Sequence, residues 1–141
     1  MDIKGIHLFF NYISFAIFSS IKTLFLKEKK PDLIFVYEPS PVTVGIPAIV
    51  AKNKFENVPI FFWVQDLWPD SLKDTGAFNN KYILKLADKF TRYIYNNSKI
   101  ILVQSEAFIN YIIKQGVSSN KIKYFPNPTE NFYNVVKINE E

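Results

Sequence analysis

The sequence predicts an α/β domain in which a parallel sheet is flanked by helices, and three observations carry that prediction. Short apolar runs alternate with longer segments of helical periodicity. Each apolar run stops at a polar or proline-bearing turn, and a continuous apolar run is the habit of strands buried on both faces of a parallel sheet. The segments between the runs are long enough for crossover helices, which impose parallel strands and right-handed connections. At 141 residues the chain holds one core.

Residues 6–26 come first as an apolar helix just long enough to span a bilayer. Lys4, His7, Asn11, Ser14 and Lys22 trace a narrow polar stripe along it, which marks an amphipathic element. Three placements follow from that pattern: packed on the domain's own sheet, lying in a membrane interface, or crossing the bilayer. Lys22 inside the run argues against the last, and the Lys27-Glu28-Lys29-Lys30 cluster suits lipid phosphates. No small-residue cleavage site follows, so the segment does not read as a signal peptide.

Pro31-Asp32 ends that helix, and 33–37 reads as a short buried strand. Pro39 and Pro41 forbid its continuation. Residues 42–54 form an apolar helix whose basic end suits the helix dipole. A strand over 59–64 runs into a loop from Gln65 to Gly76, in which Asp70 and Ser71 are placed to cap a short helix. Residues 79–97 carry apolar side chains at i+3, i+4 and i+7 opposite a charged face, so they predict a long helix. A strand over 99–103 follows. Ser105 is placed to cap the helix 106–115, and Gly116 to end it. A short strand over 122–125 and the Pro126-Asn127-Pro128 turn complete a domain over 1–128, leaving 129–141 as a linker or tail.

Composition narrows the chemistry. A net charge of +4 is too weak to imply nucleic acid, and no basic groove-reading helix or RNA-binding aromatic signature is present. The absence of cysteine removes disulfides and thiolate-bound zinc, and a single histidine, His7, removes any metal site needing two imidazoles. The four glycines are dispersed, so neither a P-loop nor a dinucleotide fingerprint exists. In open α/β sheets, ligands gather beyond the carboxyl ends of the strands. Gln65, Asp66 and Trp68 fall there after one strand, Glu38 and Ser40 after another, and Ser105 after a third. Asp66 is the side chain there able to act as base or polar anchor. Its structural alternative is a turn cap. Trp68 is either a wedge beside Pro69 or a stacking platform, and Ser105 either an N-cap or a ligand contact.

Four stretches resemble the amino-terminal domain of a family 4 glycosyltransferase of the GT-B fold. They are Phe35 to Gly45, Val64-Gln65-Asp66-Leu67-Trp68-Pro69-Asp70-Ser71, Leu102-Val103-Gln104-Ser105, and Gly116 through Phe125-Pro126-Asn127. The similarity runs from about Lys4 to Tyr133, points to the O-antigen and capsule branch, and implies a partial Rossmann-like domain. It further implies retaining sugar transfer from a nucleotide-sugar to a lipid-linked saccharide, without a metal or cofactor, at the cytoplasmic face of the membrane. Many relatives place a His-Asp pair after the strand corresponding to 59–64. Here Gln65 stands for the histidine and cannot take a proton, so it orients while Asp66 acts. Glu38, Ser40, Trp68 and Ser105 become acceptor contacts on this reading.

The family's nucleotide-binding domain, with its Glu-x7-Glu element, is not in the sequence, and its opening strand and glycine loop are also missing. The resemblance therefore implies a fragment, inactive alone or complemented by a separately encoded carboxyl-terminal half. The competing expectations are a non-catalytic acceptor- or partner-binding module, and a membrane-associated protein working through 6–26.

Overall fold

The computed structural model describes residues 3–74 and 80–128. The expected segments at 75–79, including Gly76, and at 129–141 lie outside the described residues. The order is α1 (Ile3–Leu24), β1 (Ile34–Glu38), a 3-10 turn (Val42–Val44), α2 (Gly45–Lys54), β2 (Ile60–Val64), α3 (Asp70–Asp74), α4 (Lys81–Asn97), β3 (Ile100–Val103), α5 (Glu106–Lys114), a second 3-10 turn (Ser119–Lys121) and β4 (Ile122–Tyr124). All four strands are parallel in the order β1-β2-β3-β4, so the domain is α/β as predicted. The register sets Glu38 beside Val64 and Val64 beside Val103. The carboxyl ends of β1, β2 and β3 are therefore level.

Local chemistry fixes the boundaries. Asn80 accepts a hydrogen bond from the Tyr82 N–H, so α4 begins two residues later than its periodicity suggests. Ser105 caps α5 in the same way through the Ala107 N–H, and Gly116 at φ +89° ends the turn that follows. The carboxyl end of α1 is closed from another helix. The Lys54 ammonium donates to the carbonyls of Thr23, Leu24 and Leu26, supplying both partners and charge to that terminus. Gly45 is needed where α2 starts, because a Cβ there would sit 2.5 Å from Ile94 Cγ2 of α4.

Strands in sequential order with right-handed crossovers put α2, α4 and α5 on one face of the sheet. That face is sealed. Val36, Phe62, Val64, Ile101, Val103 and Ile122 are buried under the helices with Ile94, Tyr95 and Ile112. The continuous apolar run of β2 predicts burial on both faces, and here the structure differs. Phe35 and Tyr37 are 49% and 53% exposed on the opposite face, beside the half-buried Trp63. Trp63 gathers Phe35, Tyr37 and Phe125 around it, with ring centroids 5.0–6.0 Å apart, and its Nε1 donates to the Phe125 carbonyl at 3.0 Å. Among the described residues no helix covers this aromatic row.

α1 lies against α2 rather than against the strands, and it is inverted in character. Leu8 and Tyr12 of its first half pack on the core, but further along its inward residues are small or hydroxylic: Ala16 is buried, and Ser19, Ser20 and Thr23 are partly buried. Other large apolar residues face outward, with Phe10 63% and Phe18 70% exposed. Lys54 and the close approach to α2 select the small face, because bulky side chains would hold the helices apart. His7 is exposed. Among the described residues no helix is long and apolar enough to cross a membrane.

Candidate functional site

The loops leaving the four strands converge at their carboxyl ends. Backbone bonds join them first: the Gln65 N–H donates to the Glu38 carbonyl at 3.0 Å, and the Phe125 N–H to the Val103 carbonyl at 2.8 Å. A side-chain amide cluster then ties the loops after β2, β3 and β4 together. Asn127 Nδ2 donates to Gln65 Oε1 at 2.8 Å and to Gln104 Oε1 at 2.7 Å, and Gln104 Nε2 donates to the Gln65 carbonyl at 2.9 Å. Gln65 Nε2 is buried with no protein partner.

Asp66 follows Gln65 and is partly buried. Its charge reaches Glu38, which ends β1 and is 0% exposed. Neither carboxyl oxygen of Glu38 has a hydrogen-bond partner in the protein. Burial first, and the Asp66 carboxylate second, push the Glu38 acid up to about 9. The backbone N–H groups of Asp66 and Gln65 lower it in part without reaching hydrogen-bond geometry. Glu38 is thus neutral at pH 7. The Tyr95 hydroxyl from α4 is also buried without a partner, and burial and then Glu38 raise it well above the usual phenol range.

Of the residues singled out from the sequence, Gln65 and Asp66 stand at the surface of this cluster and Ser40 is exposed at its rim, at φ +143°. Glu38 is sealed beneath them and offers no surface to a ligand, because helix-covered β1 side chains alternate inward at its position. Trp68 is 5% exposed, packed in the core and tilted against Tyr12 at 5.9 Å. Its Nε1 points to Ser40 Oγ at 3.4 Å, and its carbonyl takes a bond from Gln115 Nε2 at 2.8 Å. It is a wall of the site rather than an open stacking platform. Ser105 spends its hydroxyl on the Ala107 N–H at 3.3 Å, which is the capping role. Asp70 opens α3 and faces Tyr111, whose hydroxyl is raised by burial first and by the Asp70 carboxylate second.

Sequence reasoning did not single out Gln104 or Tyr95 as site residues. Gln104 stands one place after β3 as Gln65 stands one place after β2, and the two strand ends are paired in register, so that equivalence was the available signal. Among the described residues, no three metal-ligating side chains converge. A second concavity lies on the other side of Trp68: an apolar cavity of about 320 Å³ between α1 and α4, walled by Phe9, Tyr12, Trp68, Leu72, Leu86 and Phe90.

The glycosyl transferase 4-like domain family matches residues 10–128. That span takes in every described strand and the whole carboxyl-end cluster. Comparison with curated proteins and with solved structures returned no match. The chain therefore belongs to the glycosyl transferase 4-like domain family on a match that covers most of its length.

Proposed function

We propose that this chain is the acceptor-side part of a retaining, nucleotide-sugar-dependent glycosyltransferase of surface polysaccharide assembly, of the O-antigen or capsule type. The family match supports sugar transfer. The observation that carries the assignment of the site is the Gln65–Asp66 step, level with the ends of β1 and β3 and linked to Gln104 and Asn127. Asp66 is the carboxyl group closest to the incoming acceptor hydroxyl, able to anchor it or accept its proton. Gln65 and Gln104 orient that hydroxyl by hydrogen bonds, Ser40 contacts the saccharide from the rim, and Glu38 stays a neutral acid behind Asp66. The nucleotide-sugar enters as a substrate, and no resident cofactor is needed.

The same reading places the domain at the cytoplasmic membrane face, where its lipid-linked acceptor resides. The outward phenylalanines of α1, together with the Lys27, Lys29 and Lys30 cluster at its end, support peripheral contact with anionic lipid. The test is transfer of labelled sugar to a lipid-linked saccharide by this chain, alone and mixed with a family carboxyl-terminal half. Transfer is expected from the mixture, falling about a hundredfold with Asp66→Ala, the scale of a lost general base. Unchanged turnover in Asp66→Ala would remove Asp66 from the mechanism.

A further inference from the structure

A third concavity opens at the other end of the sheet, where the strands begin. The turns entering β2, β3 and β4 meet there around a polar hollow of about 440 Å³. Its polar walls are Lys52 of α2, Asn57, Asn96 and Asn97 at the end of α4, Lys99 and Lys121. Three lysines line it, and no aspartate or glutamate does. Among the described residues the ion pairs are Lys30–Glu56 and Asp88–Arg92, so none of the three meets a carboxylate at that distance.

Two of these lysines have a structural duty, and its size can be bounded. α4 has no basic residue in its own last turn. Lys52 Nζ donates to the Asn97 carbonyl at 2.9 Å, and Lys121 Nζ to the carbonyls of Asn96 and Ser98, each at 3.2 Å. A helix carboxyl end carries about half a negative charge, which a single ammonium group already exceeds. The end of α1 shows that one is enough, since Lys54 alone donates to three carbonyls. At α4 two lysines share that work and keep spare N–H donors, two on Lys52 and one on Lys121. Lys99 is exposed beside them, and the amides of Asn57 and Asn96 add further donors to the wall. Three ammonium groups against the helix end leave an excess of roughly two positive charges. The walls carry no aromatic ring on which a base or a sugar could stack. A phosphate ester carries about −1.5 to −2 and answers two ammonium groups, and a second phosphate answers the third.

We propose that this hollow is a phosphate-binding site, suited to a diphosphate group held by Lys52, Lys99 and Lys121 at the amino ends of β2, β3 and β4. The five residues of β2 set it about 17 Å from Gln65 and Asp66, so a group bound here is not the one that reacts there. An anion between Lys52 of α2 and Lys121 before β4 ties two elements to the end of α4, and binding only the folded chain stabilises it. The inference does not depend on the sugar-transfer reading.

The test follows the backbone amides of the isotope-labelled full chain while inorganic pyrophosphate is added at constant ionic strength. Expected is saturable binding with shifts on Asn57, Asn97, Ser98, Lys99 and Lys121, and silence at Gln65 and Asp66. Inorganic phosphate should bind at least fivefold more weakly. Lys52→Gln and Lys121→Gln keep a donor for the α4 carbonyls but lose the charge, and each should weaken pyrophosphate at least tenfold. Lys99 is exposed, so Lys99→Gln, expected to weaken it at least threefold, keeps the test decisive if the other two do not fold. Lys123→Gln, on β4 outside the hollow, should leave affinity unchanged. No saturation, wild-type affinity in Lys99→Gln, or an equal loss in Lys123→Gln overturns the site. Equal affinity for phosphate overturns its assignment to a diphosphate. Displacement of pyrophosphate by phosphatidic acid vesicles supports the site with a lipid head group as the source of the phosphate. Retention of pyrophosphate against those vesicles supports it with a soluble diphosphate.

Discussion

The two faces of the same four strands carry side chains of similar hydrophobicity and meet opposite fates. Val36, Phe62, Val64 and Val103 alternate with Phe35, Phe61, Trp63 and Leu102. The first set is buried beneath α2, α4 and α5, and the second forms a partly exposed apolar face, mostly aromatic, with no described helix over it. A hydropathy pattern therefore reports how apolar a strand is, not how many of its faces are covered. Coverage follows from connection order, since strands added one after another on the same side carry all their crossover helices on one face.

The comparison makes its largest demand at Phe62. Removing a fully buried ring from the covered face should cost about 3–5 kcal/mol, read as a shift in urea midpoint for Phe62→Ala. Next comes the acid at the edge of that face. Glu38 binds a proton in the folded chain up to about pH 9 and in the unfolded chain only to about 4.5, so folding stability falls as pH rises through that window. Glu38→Gln removes the dependence, and at pH 7 it should stabilise the chain by up to about 3 kcal/mol, with the gain fading toward pH 4.5. A variant whose stability tracks the wild type at every pH would show that Glu38 is ionised in the fold.

The smallest effect is expected on the open face. Trp63→Ala loses ring contacts and one hydrogen bond that water replaces, about 1 kcal/mol. A cost equal to that of Phe62→Ala, or one that grows with protein concentration, would mean that the open face is covered in solution.

Much of this was legible in the sequence for physical reasons that remain visible in the structure. Strand positions came from apolar runs and held within a residue or two, because each run is bounded by proline, a polar cap or a lysine. Ser105 and Gly116 named their own roles, since capping and positive φ are local chemistry. Asn127 was legible as a turn residue, but its bonds to Gln65 and Gln104 join residues 62 and 23 positions away and have no local signature. Two features were legible only in three dimensions. The polar stripe of α1 faces water at His7, Asn11 and Lys22 as it suggested, but nothing in it announced that Ala16, Ser19 and Ser20 would form the face turned to α2. Glu38 read as an exposed loop-edge acid, and the inward alternation of β1 buried it.

The most direct test of the central claim is to titrate the isotope-labelled chain with a saccharide acceptor and follow its backbone amides. The account predicts that shifts gather on Ser40, Gln65, Asp66, Gln104 and Asn127, the ends of four strands brought to one edge. Shifts confined to the aromatic row around Trp63, with that edge silent at saturation, would contradict it.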